Sequence, residues 1–324
     1  MASIPSNLPP AAAAPSPPPG GRCVRIALPD RRPALSLLLT GRPEGGDAAV
    51  DHFLAYVHDQ GLSLDDLWVV LDEGVPKAAA LVLPTAGGAA MAFVSPVFDG
   101  RDEPWAAAVV GAAIEVPHVL SRRMIQALLD PPQRRERAVF AAAGFERLSE
   151  LQYMQRGTDV PLSPLRLPAG FTVARWSEDR RAQFVHAVAD SYVGTRDCPG
   201  LLGVRTLDEV IAGHMATGTF VPDLWHVVLR GEQPVGVMLL NLLPQRAMAE
   251  LVYLGLAPDA RGHGLARALL THGIALVRDY GATSLVLAVD DDNAPALRLY
   301  RQLGFVRGVK KTAMIRRLNV AGTA

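Results

Sequence analysis

Cysteine is almost absent from this 324-residue chain: only Cys23 and Cys198 occur, far apart and without Cys-x-x-Cys or Cys/His spacing. A disulfide framework is excluded by that count, and no zinc or other metal site is expected. The chain also lacks an excess of charge of either sign, since 32 Lys+Arg balance 32 Asp+Glu. With no long basic run either, nucleic acid is not an expected partner. Long apolar runs are missing too. The longest, WAAAVVGAAI at 105–114, is too short to span a bilayer. Residues 1–21 (MASIPSNLPPAAAAPSPPPGG) have neither a cationic start nor an unbroken apolar core, so they do not read as a signal peptide. Their Pro and Ala content reads as a disordered tail. The expectation is a soluble, cytoplasmic protein without a membrane partner.

What the chain does contain is one unit written twice. LWVVLDEGVPKAAALVLP (67–84) parallels LWHVVLRGEQPVGVMLLN (224–241), each reading as strand, tight polar turn, strand. AAAGFERLSELQYMQR (141–156) parallels RQLGFVRGVKKTAMIRR (301–317) in its Gly-Phe and Met-x-Arg positions. Trp68 and Trp225 are offset by 157 residues and Phe145 and Phe305 by 160, a drift that loop insertions explain. The Pro- and Gly-rich stretch 157–170 marks the joint.

In the second copy, hydrophobic periodicity and turn residues predict strands over 171–176, 225–230, 234–242, 247–256, 284–290 and 309–317. They predict helices over 177–193, 207–217, 264–279 and 294–303, the last two stopping at Gly281 and Gly304. The helix at 264–279 shows apolar residues at Leu265, Leu269, Leu276 and Tyr280. Asn293 is suited to cap the helix that follows it.

The stretch ELVYLGLAPDARGHGLARALL (250–270) runs from a strand through a glycine-spaced turn into a helix. A dinucleotide loop needs Gly-x-Gly-x-x-Gly, but Arg267 stands at the third position; a P-loop needs Gly-Lys-Ser/Thr, which is absent. What remains is Arg261-Gly262-His263-Gly264-Leu265-Ala266, or R-x-x-G-x-A. Small residues at 264 and 266 let a diphosphate approach the main chain. Successive N–H groups at 262–266 and the helix N-terminus then supply partial positive charge, with Arg261 holding the turn.

This stretch resembles the acyl-CoA signature of the GNAT superfamily of N-acetyltransferases. LVLAVDDDNAPALRLYRQLGF (285–305) is similar to that superfamily's next segment, where an Asn caps a helix near the coenzyme and a Tyr one to two turns on faces the thioester sulfur. Asn293 and Tyr300 match those positions. Glu250, ahead of LVYLGLAP, resembles the strand glutamate that several members use as a base. A narrower likeness is to tandem GNAT proteins such as mycothiol synthases, which pair a degenerate first half with an active second half.

The resemblance implies an α/β fold of two tandem GNAT-like units, each a mixed, mostly antiparallel twisted sheet flanked by helices. The expected boundaries are 1–21 tail, 22–156 degenerate copy, 157–167 linker, 168–318 catalytic copy and 319–324 tail. The implied activity moves an acetyl group from acetyl-CoA to a small-molecule or peptide amine by direct attack, in a monomer or homodimer. Glu250 would act as base and Tyr300 as acid. The main chain of Leu254, Gly255 and Leu256 would pair with pantetheine, and residues 261–266 and Asn293 would hold the rest of the coenzyme. Tyr192, Asp197 and Cys198, in the loop SYVGTRDCPGLLG (191–203), would meet the acceptor.

Plainer readings stand beside these roles. Tyr300 recurs with Leu297 and Leu303 at a packing interval. Glu250 shares an alternating face with Met248, Val252 and Leu254, which suits either a base of raised pKa or a strand end in water. His263 is expected to face solvent, and His214, His226 and His272 to sit on surfaces or at core edges. A non-catalytic acyl-CoA binder is the alternative. In the first copy the equivalents are Phe140 for Tyr300, Pro104 for Gly264, Gln133 for Asn293, Phe93 for Glu250 and Arg101 for Arg261. Without the hydroxyl and with a proline in the loop, that copy is expected neither to catalyse nor to bind the coenzyme in the same manner.

Overall fold

The computed structural model describes residues 16–26, 31–59, 61–160, 167–243 and 247–318. Residues 1–15, 161–166 and 319–324, which hold most of the expected tails and linker, lie outside the described residues. The chain resolves into two compact units. Unit 1 takes the described residues up to Pro84, Ala90–Arg147 and those from Met314 on; unit 2 takes Thr85–Ala89 and Leu148–Ala313.

In unit 1 the order is β1 (Gly21–Arg25), α1 (Arg31–Thr40), α2 (Asp47–Asp59), β2 (Leu67–Asp72), β3 (Val75–Thr85), β4 (Ala89–Val94), α3 (Glu103–Ile114), α4 (Pro117–Leu120), β5 (Met124–Leu129) and α5 (Arg134–Ala142). Strands β1 to β5 lie side by side in sequence order. The run AAALVL within β3 is buried throughout because both faces are covered. Ala79, Leu81 and Leu83 pack with α1 and α2, while Ala78, Ala80 and Val82 pack with α3 and α5. Alternation along the strand sends successive side chains into two separate cores.

Unit 2 contains β6 (Glu146–Gly157), β7 (Phe171–Arg175), α6 (Arg181–Ser191), α7 (Leu207–Met215), β8 (Thr219–Arg230), β9 (Gln233–Leu243), β10 (Met248–Leu256), α8 (Leu265–Asp279), β11 (Ser284–Asp290), α9 (Ala294–Gln302) and most of β12 (Val306–Arg317). Its strand order is β12-β6-β11-β10-β9-β8-β7. β7–β8, β8–β9, β9–β10 and β11–β6 run antiparallel, and β10–β11 is parallel. The fold is α/β, with a mixed, mostly antiparallel sheet between two helical layers. α8 and α9 cover one face through Leu265, Leu269, Ile274 and Leu297. α6 and α7 cover the other, against Trp225, Val237 and Leu239.

Local chemistry explains most element ends. Thr206 and Glu209 form a reciprocal capping box at the start of α7. Asn293 Oδ1 accepts the Ala296 N–H at 3.4 Å at the start of α9. At the other end of α9, the buried Arg156 of β6 donates to the Leu303 carbonyl at 2.5 Å, satisfying an orphan acceptor of the last turn.

Three expectations need correction. The buried seam of α8 runs through Leu265, Leu269, Leu270, Ile274 and Val277, whereas Tyr280 is exposed and bonds Asp223 through its hydroxyl. β8 starts at Thr219, ahead of the expected 225, because it continues through an irregularity between Phe220 and Trp225. His226 is 2% exposed, inside the Leu224–Val228 run of β8, with its ring edge-on to His272 at 5.5 Å. Burial, with His272 beside it, lowers its pKa to about 4.

His226 therefore stays neutral when folded and takes up a proton more readily when unfolded. Its stabilising contribution is present above pH 6.5 and lost as pH falls toward 4, amounting to about 3 kcal/mol at 1.36 kcal/mol per unit. Denaturant titrations from pH 7 to 4 should show a shallower stability loss for His226→Asn than for the wild type. Parallel curves would contradict this.

Candidate active site

The site in unit 2 begins where two strands part. β10 and β11 pair only through Met248↔Ser284, Ala249↔Leu285 and Glu250↔Val286. β10 continues to Leu256 on β9, so beyond Glu250 it separates from β11. A bulge between Leu251 and Tyr253 adds twist at the same place. It also corrects the expected facing of the strand: Ala249, Leu251 and Leu254 join the core under α8, while Tyr253 turns toward α6 and α7. Leu254 thus does not share a face with Glu250. The gap opens into a cavity of about 480 Å³, lined on one side by Leu251–Leu254 and Leu256 and on the other by Ala288 and Val289. Arg261, Gly262, Gly264–Arg267, Asn293, Tyr300 and Asp197 complete its wall.

The glycine turn sits at one end of this cavity. Gly262 and Gly264 have φ of +79° and +78°, and a Cβ at either would meet open space. Left-handed backbone, more than crowding, requires glycine there. Gly264 is the N-cap of α8 and offers no side chain to bond the first-turn N–H groups. Arg261 holds the turn from behind: its Nε donates to the Leu256 carbonyl (3.0 Å), and its Nη2 donates to the carbonyls of Ser191 (3.0 Å) and Val193 (2.8 Å). One guanidinium thereby ties the end of β10 to the C-terminus of α6. Since the Leu256 carbonyl turns toward Arg261, alternation of the main chain turns Leu254 to the same edge. At Gly255 a Cβ would lie 2.5 Å from Ser191 Oγ and 2.7 Å from Tyr253 Cε1, so packing alone demands glycine. His263 is exposed, with its ring 6.1 Å from that of Phe171.

At the other end the polar groups converge. Tyr300, on α9, is 7% exposed, and its pKa is raised first by burial, then by the Asp197 charge and Tyr253. Its hydroxyl has no hydrogen-bond partner among the described residues. Ser191 Oγ donates to the Val188 carbonyl at 2.7 Å. It therefore accepts from the Tyr253 hydroxyl, also at 2.7 Å. Glu250 does not line the cavity; burial raises its pKa, and its charge in turn raises that of Tyr153 on β6.

The loop 191–203 comes to the same place. Asp197 Oδ1 accepts the Asp290 N–H at 3.1 Å, and the Asn293 amide also hydrogen-bonds the Asp197 carboxylate. The Cys198 N–H donates to Asp290 Oδ2 at 3.1 Å. Cys198 is held at φ +43°, and burial, Asp197 and Asp290 push its thiol pKa up to about 12, so it remains a thiol. Tyr192 is half-buried and edge-on to Tyr253 at 6.2 Å. His214 stacks on Tyr253 at 5.4 Å, at the edge of the core, with its pKa lowered to about 4 by burial and then by Arg205; its Nε2 is buried without a partner. Sequence reasoning missed Asp290, Tyr253 and Ser191. Only the strand-to-helix position of Asp290, before Asn293, offered a signal.

These features converge with the comparisons. Residues 196–305 match the model of the acetyltransferase (GNAT) family. That segment of unit 2 is therefore similar to GNAT acetyltransferases. Mycothiol acetyltransferase of Thermomonospora curvata is 31% identical over 172 residues, covering 52% of this chain and 56% of that protein. The Streptomyces coelicolor protein of the same name is 30% identical over 171 residues, half of each chain. The chain thus spans about half the length of these curated relatives. Two solved structures share the fold. A GCN5-related N-acetyltransferase from Sphaerobacter thermophilus is similar with TM-score 0.62 at 18% identity, covering 94% of this chain and 98% of that one. A tandem GNAT protein from the clavulanic acid biosynthesis pathway is similar with TM-score 0.50 at 16% identity, covering 93% and 100%.

Within unit 2 Arg261 is the structural pin of the cleft. Arg261→Met should lower the stability of the protein by about 1–3 kcal/mol, the range for losing charged hydrogen bonds. It should also speed amide exchange at Ser191–Val193 and Leu256. Unchanged exchange at those amides would show that the guanidinium does not hold the turn.

Proposed function

We propose that unit 2 transfers an acetyl group from acetyl-CoA to a primary amine by direct attack within a ternary complex. The observation that carries this reading is the cavity between the parted strands, with an open helix N-terminus at one end and the buried residue Tyr300 in its wall at the other. The coenzyme fits the residues present. Main-chain groups at Leu254 and Leu256, on the edge that β11 leaves uncovered, pair with the pantetheine amides as an added strand would. N–H groups of residues 262–266 receive the diphosphate, assisted by the α8 dipole. Ala266 keeps the approach clear, and Asn293 lies against the coenzyme from α9.

A primary amine with a pKa near ~10 is protonated at neutral pH and must lose a proton before it attacks. Glu250 receives that proton through water, and its raised pKa makes it a better acceptor once ionised. The neutral nitrogen then forms the C–N bond as the C–S bond breaks. Tyr300 donates its proton to the departing sulfur, a step its raised pKa suits by keeping the phenol protonated, and is reprotonated through solvent as the new amide nitrogen sheds its second proton. The relatives named mycothiol acetyltransferase favour a small-molecule acceptor.

In this reading unit 1 binds no coenzyme. Phe140 is fully buried where an acid would stand. Pro104 occupies the first turn of α3. The Glu136 carboxylate of α5, 5% exposed, accepts the Val97 N–H at 2.8 Å, a main-chain donor just past the end of β4.

An acid of this kind contributes ~10²–10⁴-fold, or about 3–5 kcal/mol. With acetyl-CoA and a panel of primary amines, the wild type should release CoA in step with N-acetylated product. Tyr300→Phe should lower kcat by that factor with the Kd for coenzyme A unchanged. Equal turnover in the variant would remove the acid role, and coenzyme binding without product for every amine would replace the transferase with a binder.

A further inference from the structure

We infer that Tyr153 of β6 is the positioning residue for the base: its hydroxyl and the Glu250 carboxylate hold between them the water that carries off the proton of the amine. This rests on the acetyl-transfer reading and adds a residue to it. By sequence Tyr153 belongs to the first copy, which ends near 156, yet in the fold it lies within unit 2. The copy without a coenzyme loop of its own thus supplies a strand, and a side chain, to the site of the other.

Sheet register brings the two residues to one face. Glu250 pairs with Val286 in the parallel β10–β11 ladder, and Val286 pairs with Gln155 in the antiparallel β11–β6 ladder. Tyr153 pairs with Ala288, two residues further along. Ala249, Leu285, Leu287 and Met154 all join the core under α8. Alternation therefore turns Glu250, Val286, Ala288 and Tyr153 to the opposite face. Two strand spacings across and two residues along put the Cα atoms of Glu250 and Tyr153 roughly 12 Å apart. A glutamate, a phenol and one water fill that span, over the short side chains of Val286 and Ala288. Ala288 also lines the cavity, so the pair stands beside the place where β10 leaves β11.

Both side chains are half-buried, and neither has a polar atom shut away from solvent without a partner. Water therefore reaches both. Burial and then the Glu250 charge raise the pKa of Tyr153, so the phenol stays protonated and serves as a donor. The other polar groups around Glu250 are committed elsewhere. Asn241 of β9, paired with it in register, accepts from Trp225 Nε1 and donates to the carbonyls of His214 and Thr217. Gln155 donates to Ser284 Oγ, and the Tyr253 hydroxyl is bonded to Ser191. His214 of α7 is stacked on Tyr253 and neutral well above pH 4. Asp290, two residues beyond Ala288, is held by the N–H groups of Asp292 and Cys198. In the transfer the ammonium gives a proton to the shared water as that water gives one to Glu250, and the phenol keeps its own.

The kcat–pH profile at saturating acetyl-CoA and amine reports the groups of the ternary complex. Tyr153→Phe should move its acid limb upward by about half a unit to one unit, the effect of losing one hydrogen bond to the charged carboxylate. The melting temperature and the Kd for coenzyme A of the full-length variant should stay those of the wild type. An acid limb that stays in place or moves down would overturn the role of Tyr153, since a tyrosine that only packs would leave the limb unmoved. Glu250→Gln should abolish the limb. Undiminished turnover in that variant would instead bring down the base assignment beneath the inference.

Discussion

The separation of β10 from β11 beyond Glu250 is the constraint on which the rest of unit 2 turns. Two parallel strands in register would bury their main-chain groups against each other and leave no room for a ligand. The bulge before Tyr253 twists β10 away at the point where its pairing with β11 ends. A sheet opened in this way exposes donors and acceptors that need a partner. The partner in the present account is an extended, amide-bearing arm of acetyl-CoA, and the cavity walls are the two strand ends.

Several contacts hold that opening in shape. Arg261 ties the end of β10 to the last turn of α6, Gly255 lets Ser191 and Tyr253 approach the strand, and Arg156 of β6 fastens the end of α9. At the reactive end Tyr300 is buried and Glu250 half-buried. Burial is the first cause of the raised pKa of Glu250, Asp197 and Tyr300 alike. One physical effect thus keeps the tyrosine protonated as a donor while making the carboxylates readier to take up a proton or a cation.

Local signals in the sequence were legible because they depend on neighbours in the chain. The glycines at 262 and 264, the Asn293 cap, the stop at Gly281 and the period of β11 appear where turn and capping chemistry place them. What stayed hidden depends on residues far apart. The bulge in β10 reflects register against β9 and reverses the face expected for Leu254. The meeting of Asp197 with Asp290 needs the loop after α6 to reach the end of β11. Burial of His226 was invisible because a histidine in an otherwise apolar strand reads equally as an edge residue. That residues 148–157 pack within unit 2 follows from pairing of β6 with β11, which no local pattern announces.

The central claim is that the open N-terminus of α8, approached across Ala266, receives the diphosphate of the coenzyme. Ala266→Asp tests it most directly. An acidic residue in the first turn favours the helix, so folding is preserved, whereas its charge repels a diphosphate. Calorimetric titration of acetyl-CoA into the full-length protein should give single-site binding for wild type and no detectable binding for the variant, with the variant melting at least as high. Equal affinity in the two proteins, or no heat from well-folded wild type, would contradict the account.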